Sequence, residues 1–149
     1  MRSLLVVLAT SVIAAAPLTE GAATTARAPF APVLTLADGA CAGRLDAVAF
    51  AETEHPATAY VRVTPQLFGA GAISSECSVV AWLHWRNLDT GTSGAQWGRQ
   101  TDTLIPPPLC EPELCGFSVF IVPTGSGRVA LTLTTVQPHL PSSVEVVVP

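Results

Sequence analysis

Lysine is missing from this chain altogether, and its seven basic residues are all arginines set singly along the sequence. With a lone asparagine and an excess of alanine and valine, this reads as the coding bias of a GC-rich bacterial genome rather than as chemistry. The lack of clustered positive charge has functional consequences. A nucleic-acid binder needs grouped cations to neutralise phosphates and release counterions, and a polybasic membrane anchor needs them against anionic lipid. At a formal net charge of −4 with no basic cluster, neither partner is expected. Charged residues make up only 12% of the chain and hydrophobic ones 49%, which excludes the usual composition of disorder. Also absent are a C-x-x-C redox pair, a D-x-D-x-D-G calcium loop and a glycine-rich phosphate loop.

A long membrane-spanning run is lacking as well. The longest apolar stretch, Ser3 to Ala16, is about 14 residues, whereas a spanning helix needs about 20. It follows Met1-Arg2 and is broken by Pro17, and the small residues Gly21-Ala22-Ala23 come after it. That is the layout of a secretory signal peptide. We expect residues 1–23 to be the signal, cut after Ala23 with Ala26 as second choice. Residues 24–149 then form a single secreted domain, with no membrane attachment after cleavage.

The four cysteines, Cys41, Cys77, Cys110 and Cys115, all fall in this exported part. Outside the cytoplasm an even count reads as disulfides. Zinc wants closer pairs with histidines nearby, so no metal is expected. The favoured pairing is Cys41–Cys77 between two strands, with Cys110–Cys115 closing the Glu111–Leu114 turn. The alternative joins Cys77 to Cys115, because both continue the inward parity of the strands they precede.

What is plentiful is punctuation, with thirteen prolines and eleven glycines, and alternation between the breaks. Strands are predicted at 32–36, 45–52, 59–64, 77–85, 95–100, 117–122, 128–135 and 143–148. Period-two alternation with β-branched enrichment is the strand signature, and no exported segment keeps helical spacing for long. Turns at Asn87–Gly94 and Pro123–Gly127 are read as hairpin connections. Ile105–Leu109, with three prolines, reads as a stiff crossover between sheets. Seven to eight short antiparallel strands point to an all-β sandwich. The order Cys77, Trp85, Cys115 gives it an architectural resemblance to immunoglobulin-like domains. The interval from Trp85 to Cys115 is short for an antibody domain, and no tyrosine-corner tyrosine precedes Cys115.

Candidate chemistry is thin. Ser93 in Gly91-Thr92-Ser93-Gly94-Ala95 misses the nucleophile-elbow pattern by its last glycine and lies between strands, so it reads as a turn. His55, His84 and His139 are far apart, and no carboxylate pair is placed by spacing. No catalytic residue and no cofactor is therefore assigned. The least ordinary feature is aromatic. Cys77, Val79, Ala81, Leu83 and Trp85 share one parity and claim the core, so Trp82, His84 and Arg86 project to the other side. With Trp97 across the hairpin they form the candidate binding face, for an extracellular protein or carbohydrate. The ordinary fate of tryptophan is burial, in which case Trp82 belongs to a second covered layer. The sequence thus predicts a secreted, non-catalytic immunoglobulin-like sandwich, a binding or structural module. An inhibitor of an extracellular hydrolase, presenting the Cys110–Cys115 turn, is the alternative, and a small secreted enzyme the second.

Overall fold

The computed structural model describes residues 26–38, 40–69, 77–101 and 116–149, and these form nine strands and no helix. They are β1 (Ala26–Pro29), β2 (Val33–Ala37), β3 (Cys41–Ala51), β4 (Thr58–Gly69), β5 (Ser78–Asn87), β6 (Ser93–Thr101), β7 (Ser118–Pro123), β8 (Gly127–Thr135) and β9 (Ser142–Val148). Two antiparallel sheets face each other. One is five-stranded, with β3, β4 and β7 in order and β1 and β2 sharing the outer edge of β3. The other is four-stranded, in the order β6, β5, β8, β9.

The alternation that predicts the strands also builds the core. Most inward-phase residues of β3, β4, β5 and β8 are buried, among them Ala47 and Ala49, Val61 and Val63, Val79 and Leu83, Leu131 and Leu133. Small alanines on β3 lie in the same cluster as the leucines of β5 and β8, so large and small side chains interleave between the layers. Pro65 is tolerated in the middle of β4 because β7 pairs only with Thr58–Val63, leaving that edge of β4 unpaired beyond it. Gly43 is required by close approach. A Cβ there would lie 2.1 Å from the carbonyl oxygen of Gln66.

Cys41, the first residue of β3, is bonded to Cys77 just before β5, with Cα atoms 5.8 Å apart. The bridge ties the five-stranded sheet to the four-stranded one, as the favoured pairing anticipates. It also rules out the Cys77–Cys115 alternative, since Cys77 is already engaged. Gly69 lies opposite Cys41, and a Cβ there would come within 2.8 Å of the Cys41 sulfur. Cys110, Cys115 and the Ile105–Leu109 segment lie outside the described residues, as does the signal segment 1–23.

Two expectations need correction. The short strand β1 was not anticipated, because the four residues Ala26–Pro29 carry no alternation of their own. They form a strand by pairing with Val48–Ala51 of β3. Pro123–Gly127 is not a hairpin. It carries the chain from β7 in one sheet to β8 in the other. The buried Asn87 side chain holds this crossover from beneath, its Nδ2 donating to the carbonyls of Thr124 at 3.1 Å and Ser126 at 2.9 Å. Gly125 and Gly127 supply the positive φ angles that the sharp path needs. The Asn87–Gly94 connection is a hairpin, as read, and β8 and β9 pair at the C-terminal end.

The β8–β9 connection also closes an edge. The Leu36 amide donates to the Pro138 carbonyl at 3.1 Å, and the Leu140 amide to the Leu34 carbonyl at 2.9 Å. This short segment lies along β2 and shields its backbone groups. Beneath it, the buried hydroxyls of Thr35 and Thr135 bond each other at 2.7 Å across the two sheets.

Candidate functional site

The outer face of the four-stranded sheet carries all four residues singled out by parity. Trp82 lies directly opposite Trp97 on β6 and opposite Thr134 on β8. His84 lies between Ala95 and Thr132, and Arg86 between Ser93 and Ala130. No second layer covers this face among the described residues. Trp97 is 61% exposed on the edge strand, His84 and Arg86 are exposed, and Trp82 is half-buried among its neighbours. The burial common to tryptophans does not apply to Trp82 in full. Trp85, of core parity, packs against the core and spreads its indole over Gly94, where a Cβ would lie 2.8 Å from the ring.

The surroundings of the rings are flat and polar. Trp82 and His84 stack at 6.1 Å between centroids with planes 16° apart. Beside them the hydroxyls of Thr132 and Ser143 bond each other at 2.8 Å. Arg86 makes no ion pair among the described residues, and the nearest carboxylate by register is Glu145, two strands away across Ala130. This arrangement can stack a planar or flat-faced ligand and hydrogen-bond its rim.

The remaining histidines stand elsewhere. His55 lies in the turn after β3, 3.3 Å from Glu52 and edge-on to Tyr60. His139 pairs with Thr35 at the edge of the other sheet. Among the described residues no three of His, Cys, Asp and Glu converge to hold a metal. The Cys110–Cys115 turn on which an inhibitor reading rests lies outside the described residues.

Sequence reasoning missed the opposite face. On the outside of the five-stranded sheet, Leu34, Leu36, Phe68 and Leu140 are 50%, 50%, 69% and 63% exposed around a hollow of about 770 Å³. A second hollow of about 470 Å³ lies further along β3, between Arg27, Val48, Phe50 and Arg62. The signal was in the parity of β2 and β4, where Leu34, Leu36 and Phe68 occupy the outward phase. Only knowledge of which strands pair brings them together.

Compared with protein-family models, with curated proteins and with solved structures, the chain finds no match in any of the three.

Proposed function

We propose that this domain is a non-catalytic binding module that works outside the cytoplasm and recognises carbohydrate through the outer face of its four-stranded sheet. One observation carries the reading. A solvent-facing tryptophan, Trp97, is in register with Trp82, which itself stacks on His84. Isolated exposed apolar residues are ordinary on any protein, but adjacent indoles on a flat sheet are not. The apolar C–H face of a pyranose stacks on such rings. The hydroxyls of Thr132, Thr134 and Ser143 and the Arg86 guanidinium stand where its rim hydroxyls need partners.

The Cys41–Cys77 bridge supports a location outside the reducing cytoplasm. Cleavage of a signal peptide after Ala23 would leave the whole of β1 on the mature chain, whereas cleavage after Ala26 would trim it. The strand order also supports an immunoglobulin-like reading of the sandwich. The β5–β6 hairpin and the β5–β8–β9 ladder match the central sheet of such domains, and β3, β4 and β7 match the opposing one. On this reading β1 and β2 are additions to the outer edge.

The test is retention of the mature chain on a panel of polysaccharides, both insoluble glucans and chitin and soluble xylans and mannans. At least one should retard it, and Trp97→Ala should weaken that binding by about tenfold or more with the melting temperature unchanged. No retention by any polysaccharide, or retention indifferent to Trp97→Ala, refutes the reading.

A further inference from the structure

Among the described residues no second layer covers the outer face of the five-stranded sheet, and that face is neither polar nor neutral. Among the described residues, six of the ten exposed large hydrophobics gather on it, namely Leu34, Leu36, Phe68, Val119, Ile121 and Leu140. Into this surface the fold also brings three arginines that are far apart in sequence. Arg27 lies over the Phe50 ring at 6.0 Å, Arg62 over the Phe117 ring at 4.5 Å, and Arg44 opposite Leu34. Of the carboxylates at this face, Asp46 is held by Arg44 at 3.2 Å, and Glu52, beyond Phe50, lies 3.3 Å from His55. Arg27 and Arg62 make no ion pair among the described residues. A chain of net charge −4 thus presents a face on which two of three arginines have no carboxylate partner among the described residues.

We propose that this face docks an extended segment of a partner protein that turns both apolar and acidic side chains to the same side. This proposal does not depend on the carbohydrate reading, which concerns the opposite sheet. The charge argument selects an acidic occupant, because Arg27 and Arg62 are held at this face by their rings and have no carboxylate partner among the described residues. Shape selects a chain over a bilayer. Leu34, Leu36, Phe68 and Leu140 rim a hollow of about 770 Å³, and a second of about 470 Å³ between Arg27, Phe50 and Arg62 continues it along β3, a run that suits an extended chain. A second copy of this chain fits poorly, since a face-to-face dimer sets three arginines against three.

Length is consistent as well. From Tyr60 to Phe68 along β4 is eight residues, or about 27 Å at the usual strand rise. An extended peptide of about nine residues spans both hollows, its apolar side chains in the hollows and its carboxylates at Arg62 and Arg27.

The experiment uses the mature protein and a fluorescently labelled nonapeptide with serine at the even positions and leucine and glutamate in turn at the odd ones, with lysine in place of glutamate as control. Fluorescence anisotropy should show binding of the acidic peptide only, weakening as salt is raised. The double variant Arg27→Ala/Arg62→Ala should reduce affinity about tenfold or more, and Phe68→Ser should also reduce it. All three positions are exposed, so their melting temperatures should stay near that of the parent. Trp97→Ala should bind the peptide as the parent does, which separates this surface from the carbohydrate face. Equal binding of both peptides, or binding of neither, overturns the proposal. So does sedimentation of the protein with phosphatidylglycerol vesicles, or a dimer in solution that the Phe68→Ser variant abolishes.

Discussion

Removing the Cys41–Cys77 bridge by the paired substitution Cys41→Ala/Cys77→Ala should lower stability by an amount that the fold allows one to work out. The two half-cystines are 36 residues apart in sequence. Closing a loop of that size in the unfolded chain corresponds to about 4 kcal/mol on the loop-closure relation. Both sulfurs lie in the core, and alanine keeps that site apolar, so no polar group is stranded there. A domain of about 125 residues has an unfolding entropy of about 0.26 kcal/mol per kelvin, which makes the expected fall in melting temperature about 15 °C. The loop enclosed by the bridge contains nearly all of β3 and the whole of β4, the two central strands of the five-stranded sheet. The loss should therefore be global rather than a fraying at one end. Circular dichroism melts of the parent and the double variant would measure it, and tryptophan fluorescence should follow the same transition. A fall of less than about 3 °C would mean that the unfolded chain gains little freedom from the cut, and the entropic reasoning would fail.

Asn87→Ala should cost about 3 kcal/mol. The buried side chain accepts from the amides of Asp89 and Thr90 at 3.0 Å and donates to two carbonyls of the β7–β8 crossover, and all four partners lose it. Chemical denaturation would read this, and a loss below 1 kcal/mol contradicts it. Gly43→Ala should destabilise by about 1–3 kcal/mol, because the new methyl meets the Gln66 backbone and not a side chain that can swing away. An unchanged denaturation midpoint would show that β3 shifts freely. Asp89 is held below the ordinary carboxylate range, first by the Arg128 backbone amide at 2.9 Å and then by its guanidinium. A depressed folded-state pKa stabilises above the ordinary carboxylate range and is lost as pH falls through the folded value. The parent should thus melt higher than Asp89→Asn at pH 7, and the gap should close under acid. A gap constant down to pH 2.5 would count against it.

The parts of this fold legible in the sequence were those that depend on one strand at a time. Parity placed Val79, Ala81 and Leu83 in the core and sent Trp82, His84 and Arg86 outward, and eight of the strands overlap their expected positions, although β3 begins four residues earlier and β4 runs five residues further than expected. What depends on pairing was not legible. The four residues of β1 become a strand through β3, and nothing in Pro123–Gly127 distinguishes a hairpin from a crossover until Asn87 is seen beneath it. The grouping of Arg27, Arg44 and Arg62 is the clearest case. Singly spaced charges in sequence, read as scattered, fall on one face because β1, β3 and β4 are neighbours.

That grouping bears on what the outward leucines of β2 are for. The fold needs Val33, Thr35 and Ala37, which turn inward and are buried, and β2 is held by its pairing with Cys41–Leu45. It makes no such demand on Leu34 and Leu36, which share the water-facing phase with Arg44 and Ala42 across the strand pair. Threonine at both positions would keep the β-branched preference for strand, retain the alternation and remove apolar surface from water. If stability alone governed these sites, the leucines would be a liability for association. Leu34→Thr/Leu36→Thr should therefore leave the unfolding free energy within about 0.5 kcal/mol of the parent. The same variant should lose affinity for the acidic–apolar peptide and keep the polysaccharide binding proposed for the tryptophan face. A large loss of stability would show instead that the leucines cover β3 and the Pro138–Leu140 segment as part of the fold, and the face would then need no partner to explain it.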